Sequence, residues 1–154
     1  DFSLQSENNR FIIENPGNIG VGSWIDFGMP FYSQKTGYNQ KFLADNSFSG
    51  YTLRLNDWKG TVSEVFVNGE KAGLIAWPPY ELDISDFVNE GENIVEVRVT
   101  GSLKNTFGYF YHSNDKWIHG PHDWNKAPDT KPGLEGMFLM DYGLFDEFEV
   151  YGFN

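Results

Sequence analysis

The sequence predicts an all-β fold, a β-sandwich of two antiparallel sheets, on three observations. Apolar and polar residues alternate with a period of two in several short segments, which is the pattern of half-buried strands. The 154 residues include 17 Gly and 7 Pro, as expected when turns join many short strands. Aromatic residues make up 18% of the chain, enough to fill a core between sheets or to supply a contact surface.

The predicted strands before the first hairpin are short. They are "RFIIEN" (10–15), "SWIDFG" (23–28) and "GYNQKFLAD" (37–45). Alternation is clearest in "YTLRLNDW", which places Tyr51, Leu53 and Leu55 on one side. "VSEVFVNG" then leads into Asn68-Gly69, a dipeptide that readily supplies the positive φ angles of a tight hairpin, and "KAGLIAW" returns.

The second half of the pattern begins with "NIVEVRV", in which Val95, Val97 and Val99 share one side of a strand. Its other side carries Ile94 and two charged residues. Further strands are predicted at "TFGYFYH" (106–112), "GMFLMDYG" (136–143) and "LFDEFEVYGF" (144–153).

Pro78-Pro79 interrupts an apolar run directly after Trp77. Because proline donates no ladder hydrogen bond, this pair cannot lie in a central strand. The sequence therefore predicts a bend stapled by Trp77, with Trp58 in the core, and then a crossing connection. Its predicted inward residues are Leu82, Ile84, Phe87 and Val88, and those predicted to satisfy local backbone donors are Asp83, Ser85 and Asp86.

Charge and composition exclude several functions. The formal net charge of −11 disfavours nucleic acid and anionic membrane surfaces, which are bound through Lys and Arg. The chain has no cysteine, which rules out disulfide frameworks and thiol nucleophiles. No apolar run reaches the roughly 20 residues that span a bilayer, so we expect no membrane insertion.

The longest stretch without alternation runs from 113 to 135, and loops of this length are often functional. Flat aromatic faces suit the C–H face of a sugar ring, and planar polar groups suit its hydroxyls. We therefore predict a sugar-binding surface. Its candidate residues are Trp77, Tyr109, Tyr111, Trp117, His119, His122, Asp123 and Trp124. The alternative is that the loop aromatics cap the core and the histidines bond to backbone.

Metal sites receive less support from the sequence. His119 and His122 flank Gly-Pro, which forbids the helix that would align them, so no zinc site is predicted. We expect no cofactor, although structural calcium stays open, since oxygen ligands are available at Asp45, Asn46 and Asp83.

Catalysis is not expected from this chain alone. Glycosidic cleavage uses two opposed carboxylates roughly 5–10 Å apart. Acidic residues are numerous near the end, but alternation places Glu147 and Glu149 on one solvated strand face, opposite Phe148 and Val150.

Several ordered motifs resemble the galactose-binding-like domain of glycoside hydrolases. They are "DWKGTVSEVFVNGEKAG", "AWPPYELDISDFVNEGENIVEVRVTGSLKNTFG" and, nearer the start, "GSWIDFGMPFYSQKTGYNQKF". "HGPH" and "FLMDYGLFDEFEV" are similar to the closing part of this domain in large bacterial glycosidases such as α-L-rhamnosidases. The resemblance covers about residues 20–153. Gln34 departs from it, since the family often has Gly there.

This resemblance implies a jelly-roll sandwich formed by residues 1–154 as one domain of a larger protein. It implies a non-catalytic accessory domain that binds neutral carbohydrate, or one that only braces a neighbouring catalytic domain of the same chain. Its partners would be an oligo- or polysaccharide and that catalytic domain, and its location would be periplasmic or extracellular.

Overall fold

The computed structural model describes residues 3–7, 10–14, 17–107 and 139–154. This part of the chain is almost entirely β, with a 3-10 turn at Ser85–Phe87 and a four-residue helix, α1, at Lys104–Phe107. Its strands are β1 (Ser3–Glu7), β2 (Arg10–Glu14), β3 (Lys35–Ala44), β4 (Gly50–Arg54), β5 (Trp58–Lys59), β6 (Val62–Val67), β7 (Glu70–Ile75), β8 (Glu81–Asp83), β9 (Gly91–Thr100), β10 (Gly143–Leu144) and β11 (Glu149–Phe153).

All strand pairs of the described residues are antiparallel. One sheet has the order β3-β9-β6-β7 and a second has the order β11-β4-β8, while β1-β2 and β10-β5 form two-stranded pairs. The inward faces of the two larger sheets share one apolar core. The predicted all-β sandwich is confirmed, and the jelly-roll connectivity stays a prediction.

Strand alternation decides which side chains enter this core. Leu53 in β4 is fully buried, as are Val95, Val97 and Val99 in β9, whereas Glu96 between them faces outward. The Asn68-Gly69 hairpin is also confirmed, because both residues have positive φ angles of 53° and 87°, as a two-residue turn of this kind requires.

The crossing connection follows the prediction in its main contacts. Ile84 is fully buried, and Leu82, Phe87 and Val88 pack against the core. Asp83 Oδ1 accepts a hydrogen bond from the Ser85 backbone N–H at 3.0 Å. Segment 76–80, whose Pro78–Pro79 bond is cis, carries the chain from β7 in one sheet to β8 in the other.

One strand prediction is wrong. Residues 23–28 form consecutive turns, in which Asp26 N–H bonds to Ser23 O at 3.0 Å and Gly28 N–H to Ile25 O at 3.0 Å. Glycines with positive φ at positions 22 and 28 allow these turns. These turns bury the Trp24 side chain, which is 1% exposed, and the backbone here does not join a sheet.

The later strand predictions are partly met or lie partly outside the described residues. Thr106 and Phe107 belong to α1, and the rest of 106–112 lies outside the described residues. The segments predicted at 136–143 and 144–153 yield only β10 and β11 where they are described. Between these strands the backbone N–H of Phe145 turns away to bond Asp57 O at 2.8 Å.

Within the described residues, neither of the two short helices has the length or the apolar character needed to cross a bilayer.

A buried amide holds the turn that precedes β9. Asn93 is fully buried. Its Oδ1 accepts from Asn68 Nδ2 and from Asn89 N–H, both at 2.8 Å. Its Nδ2 donates to Asn89 O at 2.7 Å and to Gly91 O at 3.0 Å. Every polar group of this side chain is therefore satisfied in the core.

Replacing this amide should be costly. We expect Asn93→Ala to lower the free energy of unfolding by about 3 kcal/mol, because the buried partners in the turn lose their bonds. Urea denaturation measures this value. Asn46→Ala, at an exposed turn position, is the matched control and should change stability by no more than about 0.5 kcal/mol. Equal effects of the two variants would contradict the role given to Asn93.

Glu64, on the outer face of the four-stranded sheet, has a lowered pKa. Its carboxylate accepts from Lys35 Nζ at 2.5 Å and from Lys71 Nζ at 2.6 Å. These hydrogen bonds lower the pKa of Glu64 from 4.5 to about 2. The Glu64 side chain is 16% exposed, whereas the two lysines are about half exposed, so solvent screens much of the interaction.

The lowered pKa of Glu64 predicts that the free energy of unfolding decreases in acid. Because the folded pKa lies below the unfolded one, the stabilisation is present above pH 4.5 and is lost as the pH falls toward 2. Glu64→Gln should lose about 1 kcal/mol at pH 7 and show a flatter stability profile between these pH values. Urea titrations at several pH values test this. Glu92→Gln, which breaks an exposed pair with Lys41, should leave the profile unchanged.

Candidate functional site

Trp77 is the only residue of the predicted sugar surface within the described part of the chain. Its side chain is 73% exposed. The prediction that Trp77 staples the bend is therefore wrong, because the indole points to solvent. Tyr80 makes the packing contact instead, with its ring edge-on to Trp58 at a centroid distance of 5.6 Å. Trp58 packs against the core as predicted.

The bend presents Trp77 as a free apolar face. Pro78 and Pro79 beside it are also exposed. The Leu55 N–H bonds to Tyr80 O at 2.9 Å, which fixes the end of the bend to the three-stranded sheet. Because this hydrogen bond holds the end of the bend while the indole of Trp77 stays exposed, the indole can contact a partner outside this part of the chain.

The remaining predicted site residues lie outside the described residues. These residues are Tyr109, Tyr111, Trp117, His119, His122, Asp123 and Trp124. Their role in sugar binding stays a prediction.

A groove of about 850 Å³ runs beside β3, at the opposite edge of the four-stranded sheet from β7. Its walls are the loop at 17–21 and the strand residues 36–40. Leu144 and Phe148 are buried at its floor, and Glu147 is exposed at its rim. Sequence reasoning missed this groove because it combines three segments far apart in the chain. One signal was available, since Gln40 is a polar residue on the inward row of a strand.

The groove floor depends on the hydroxyl of Tyr38, a residue that is 7% exposed. This oxygen accepts from Trp24 Nε1–H at 2.9 Å and from Leu144 N–H at 3.2 Å. Burial raises the pKa of the Tyr38 phenol, while the bonds from Leu144 and Trp24 lower it. A single hydroxyl thus joins the turns at 23–28, β3 and β10.

Backbone contacts reinforce the same junction. Gly22 N–H bonds to Leu144 O at 2.6 Å, and Trp24 N–H bonds to Tyr142 O at 2.9 Å. Gly143 between them has φ +141°, and a Cβ there would lie 2.3 Å from Gly22 O. Only glycine fits this close approach.

The acidic residues considered for calcium make local hydrogen bonds. Asp45 Oδ1 accepts from the Ser47 backbone N–H at 2.7 Å, and Asp83 Oδ1 makes the equivalent bond to Ser85. Hydrogen bonds from the serine hydroxyls, and then these backbone bonds, lower the pKa of both aspartates. Among the described residues, no three His, Cys, Asp or Glu side chains gather as a metal-binding group.

Comparison with solved structures relates this fold to parts of glycoside hydrolases. A rhamnosidase from Novosphingobium sp. PP1Y matches with a TM-score of 0.53 at 24% identity, over 78% of this chain and 11% of that enzyme. A β-D-mannosidase from Dictyoglomus thermophilum matches with a TM-score of 0.48 at 22% identity, over 99% of this chain and 22% of that enzyme. A β-D-glucuronidase from the same organism has a TM-score of 0.45 at 23% identity, with 84% and 22% covered.

The chain thus spans between 11% and 22% of the length of these enzymes. The rhamnosidase likeness assigns the chain a sandwich fold that also occurs as a small part of a much larger glycosidase. Neither the comparison with protein-family models nor the comparison with curated proteins finds a match.

The Tyr38 junction can be tested by removing one oxygen. Tyr38→Phe should lower the free energy of unfolding by about 2 kcal/mol, because the buried N–H groups of Trp24 and Leu144 lose their acceptor. Urea denaturation measures the loss, and the indole N–H resonance of Trp24 should move. Tyr32→Phe removes a surface hydroxyl that donates to Lys35 O and should cost at most about 0.5 kcal/mol. An unchanged midpoint for Tyr38→Phe would contradict this account.

Proposed function

We propose that this chain is a non-catalytic accessory domain of a glycoside hydrolase and that it binds neutral carbohydrate. The observation that carries the proposal is the sandwich fold shared with 11% of a rhamnosidase. A fragment of that relative size suits a module attached to a catalytic domain better than a complete enzyme. A periplasmic or extracellular location belongs to the same proposal.

Among the described residues, Trp77 would supply the contact for a sugar ring. Covering roughly 60 Å² of apolar surface with an exposed indole contributes about 1.5 kcal/mol. Each well-formed hydrogen bond to a hydroxyl adds about 1 kcal/mol. One such surface therefore binds weakly, with dissociation constants between about 1 mM and 1 μM. The net charge of −11 favours neutral over anionic polysaccharides.

In this proposal, residues of 108–138, which lie outside the described residues, would complete the surface. Tyr109, Tyr111, Trp117 and Trp124 would contribute aromatic faces. His119, His122 and Asp123 would exchange hydrogen bonds with hydroxyl groups.

A second candidate function is mechanical support of the catalytic domain. It is favoured by exposed apolar side chains around α1, where Leu103 is 57%, Phe107 70% and Met140 41% exposed. The buried amide of Asn105 ties this region together through bonds to Pro30 O and to both backbone groups of Met140. An ordered apolar end of this kind suits a permanent interface with a neighbouring domain.

The sugar-binding proposal predicts a selective loss on removal of one indole. Titration calorimetry of the chain with soluble neutral polysaccharides should detect weak binding, and Trp77→Ala should weaken it about 5- to 10-fold because the stacking face is lost. Leu43→Ala is the control, since Leu43 is 80% exposed but lies on β3 at the far edge of the sheet. Its affinity should equal that of the unmodified chain.

The outcomes separate the two functions. Absence of binding to every glycan by the intact chain would contradict carbohydrate recognition and favour mechanical support. Binding that survives Trp77→Ala unchanged would place the carbohydrate contact elsewhere on the domain.

A further inference from the structure

We propose that the groove beside β3 is a second carbohydrate-binding site, one that takes a short chain of neutral sugars. The inference rests on the proposed function and deepens it. The groove volume of about 850 Å³ falls within the roughly 300–1,000 Å³ of sites that bind small molecules. Its buried floor is apolar apart from the engaged Tyr38 hydroxyl, while its rim is polar.

One indication is a water-accessible amide on the groove wall. Gln40 is half-buried and lines the groove, and its side chain makes no hydrogen bond to any described residue. The buried amides of Asn93 and Asn105, in contrast, bond at both their oxygen and their nitrogen. The Gln40 amide is not among the buried polar atoms that lack a partner in the described residues, so water reaches it, and a sugar hydroxyl that enters the groove could replace that water.

Neighbouring polar groups define the chemistry of that partner. Thr36 is half-buried on the same inward row, and Asn18 and Glu147 are exposed along the rim. An amide donates to and accepts from adjacent hydroxyl groups, and a carboxylate accepts from them. Val21 on the rim is 46% exposed and offers an apolar contact for C–H groups. A neutral polyhydroxylated ligand matches this set, whereas the carboxylate repels an anion.

The groove continues past one sugar ring. A smaller cavity of about 190 Å³ shares Gly17, Ile19, Thr36 and Gly37 with it and extends toward Lys35. The two together line residues 35–40 of β3, which runs to Ala44. An elongated cleft of this form accommodates several linked units better than a single monosaccharide.

This site is separate from the Trp77 surface. The groove is lined from β3, and its lining residues include neither Trp77 nor any other residue of the connection 76–80. Two separate weak sites on one domain would strengthen attachment to a polysaccharide through multivalency.

The test uses the 154-residue chain with cellohexaose, mannohexaose, rhamnose and galactose as probes. Gln40→Leu keeps the side-chain size but removes both hydrogen-bonding groups. Binding of the hexasaccharide that the intact chain prefers should weaken about tenfold, measured by calorimetry. NMR should show that this ligand shifts the Gln40 side-chain amide in the intact chain. Asn46→Ala, in the turn after β3, should retain full affinity.

Each result decides the matter. Loss of affinity in Gln40→Leu with retained thermal stability, together with the amide shift, supports the groove. Unchanged affinity in Gln40→Leu alongside a loss in Trp77→Ala overturns the groove and leaves the proposed function standing. Failure of the intact chain to bind any probe overturns both. A monosaccharide that binds as tightly as the hexasaccharides would overturn the extended-chain assignment.

Discussion

The hydroxyl of Tyr38 is the contact on which the described architecture depends most. It accepts hydrogen bonds from Trp24 and Leu144, residues that come from opposite ends of the chain. Without it, two buried N–H donors would lie in an apolar core with no acceptor, which is among the more costly defects in a folded protein. The close backbone approach at Gly143 follows from the same junction, and so does the floor of the groove beside β3.

The two candidate surfaces arise from the edges of one sheet. The central strands β9 and β6 are paired on both sides, so their backbone groups and inward valines are committed to the core. Partner contacts must therefore come from the sheet edges or the connections. At the β7 edge the chain leaves through Trp77 and Pro78-Pro79, and at the β3 edge the 17–21 loop stands away from the strand and leaves a groove.

Sequence periodicity predicted the parts of the fold that local chemistry decides. The alternation in β4 and β9, the Asn68-Gly69 turn and the inward side chain of Ile84 all follow from neighbours a few residues apart. The turns at 23–28 and the short β10 were missed, because they depend on Trp24 and Tyr142 meeting across more than a hundred residues. The groove was missed for the same reason. The proline pair correctly indicated a bend, but it could not tell on which side the indole of Trp77 would lie.

The candidate sites lie where an apolar side chain is exposed or a polar side chain faces inward, against the usual burial preferences of these residues. Trp77 is a large aromatic residue left in solvent, and Gln40 is a half-buried amide on the inward row of β3, where Thr36 is polar as well. Neither choice improves folding, since burial of the indole or an apolar residue at position 40 would stabilise the sandwich more. Departures of this kind are expected where function opposes stability. Because the core is well satisfied around Asn93 and Tyr38, the domain can hold both exceptions without losing its fold.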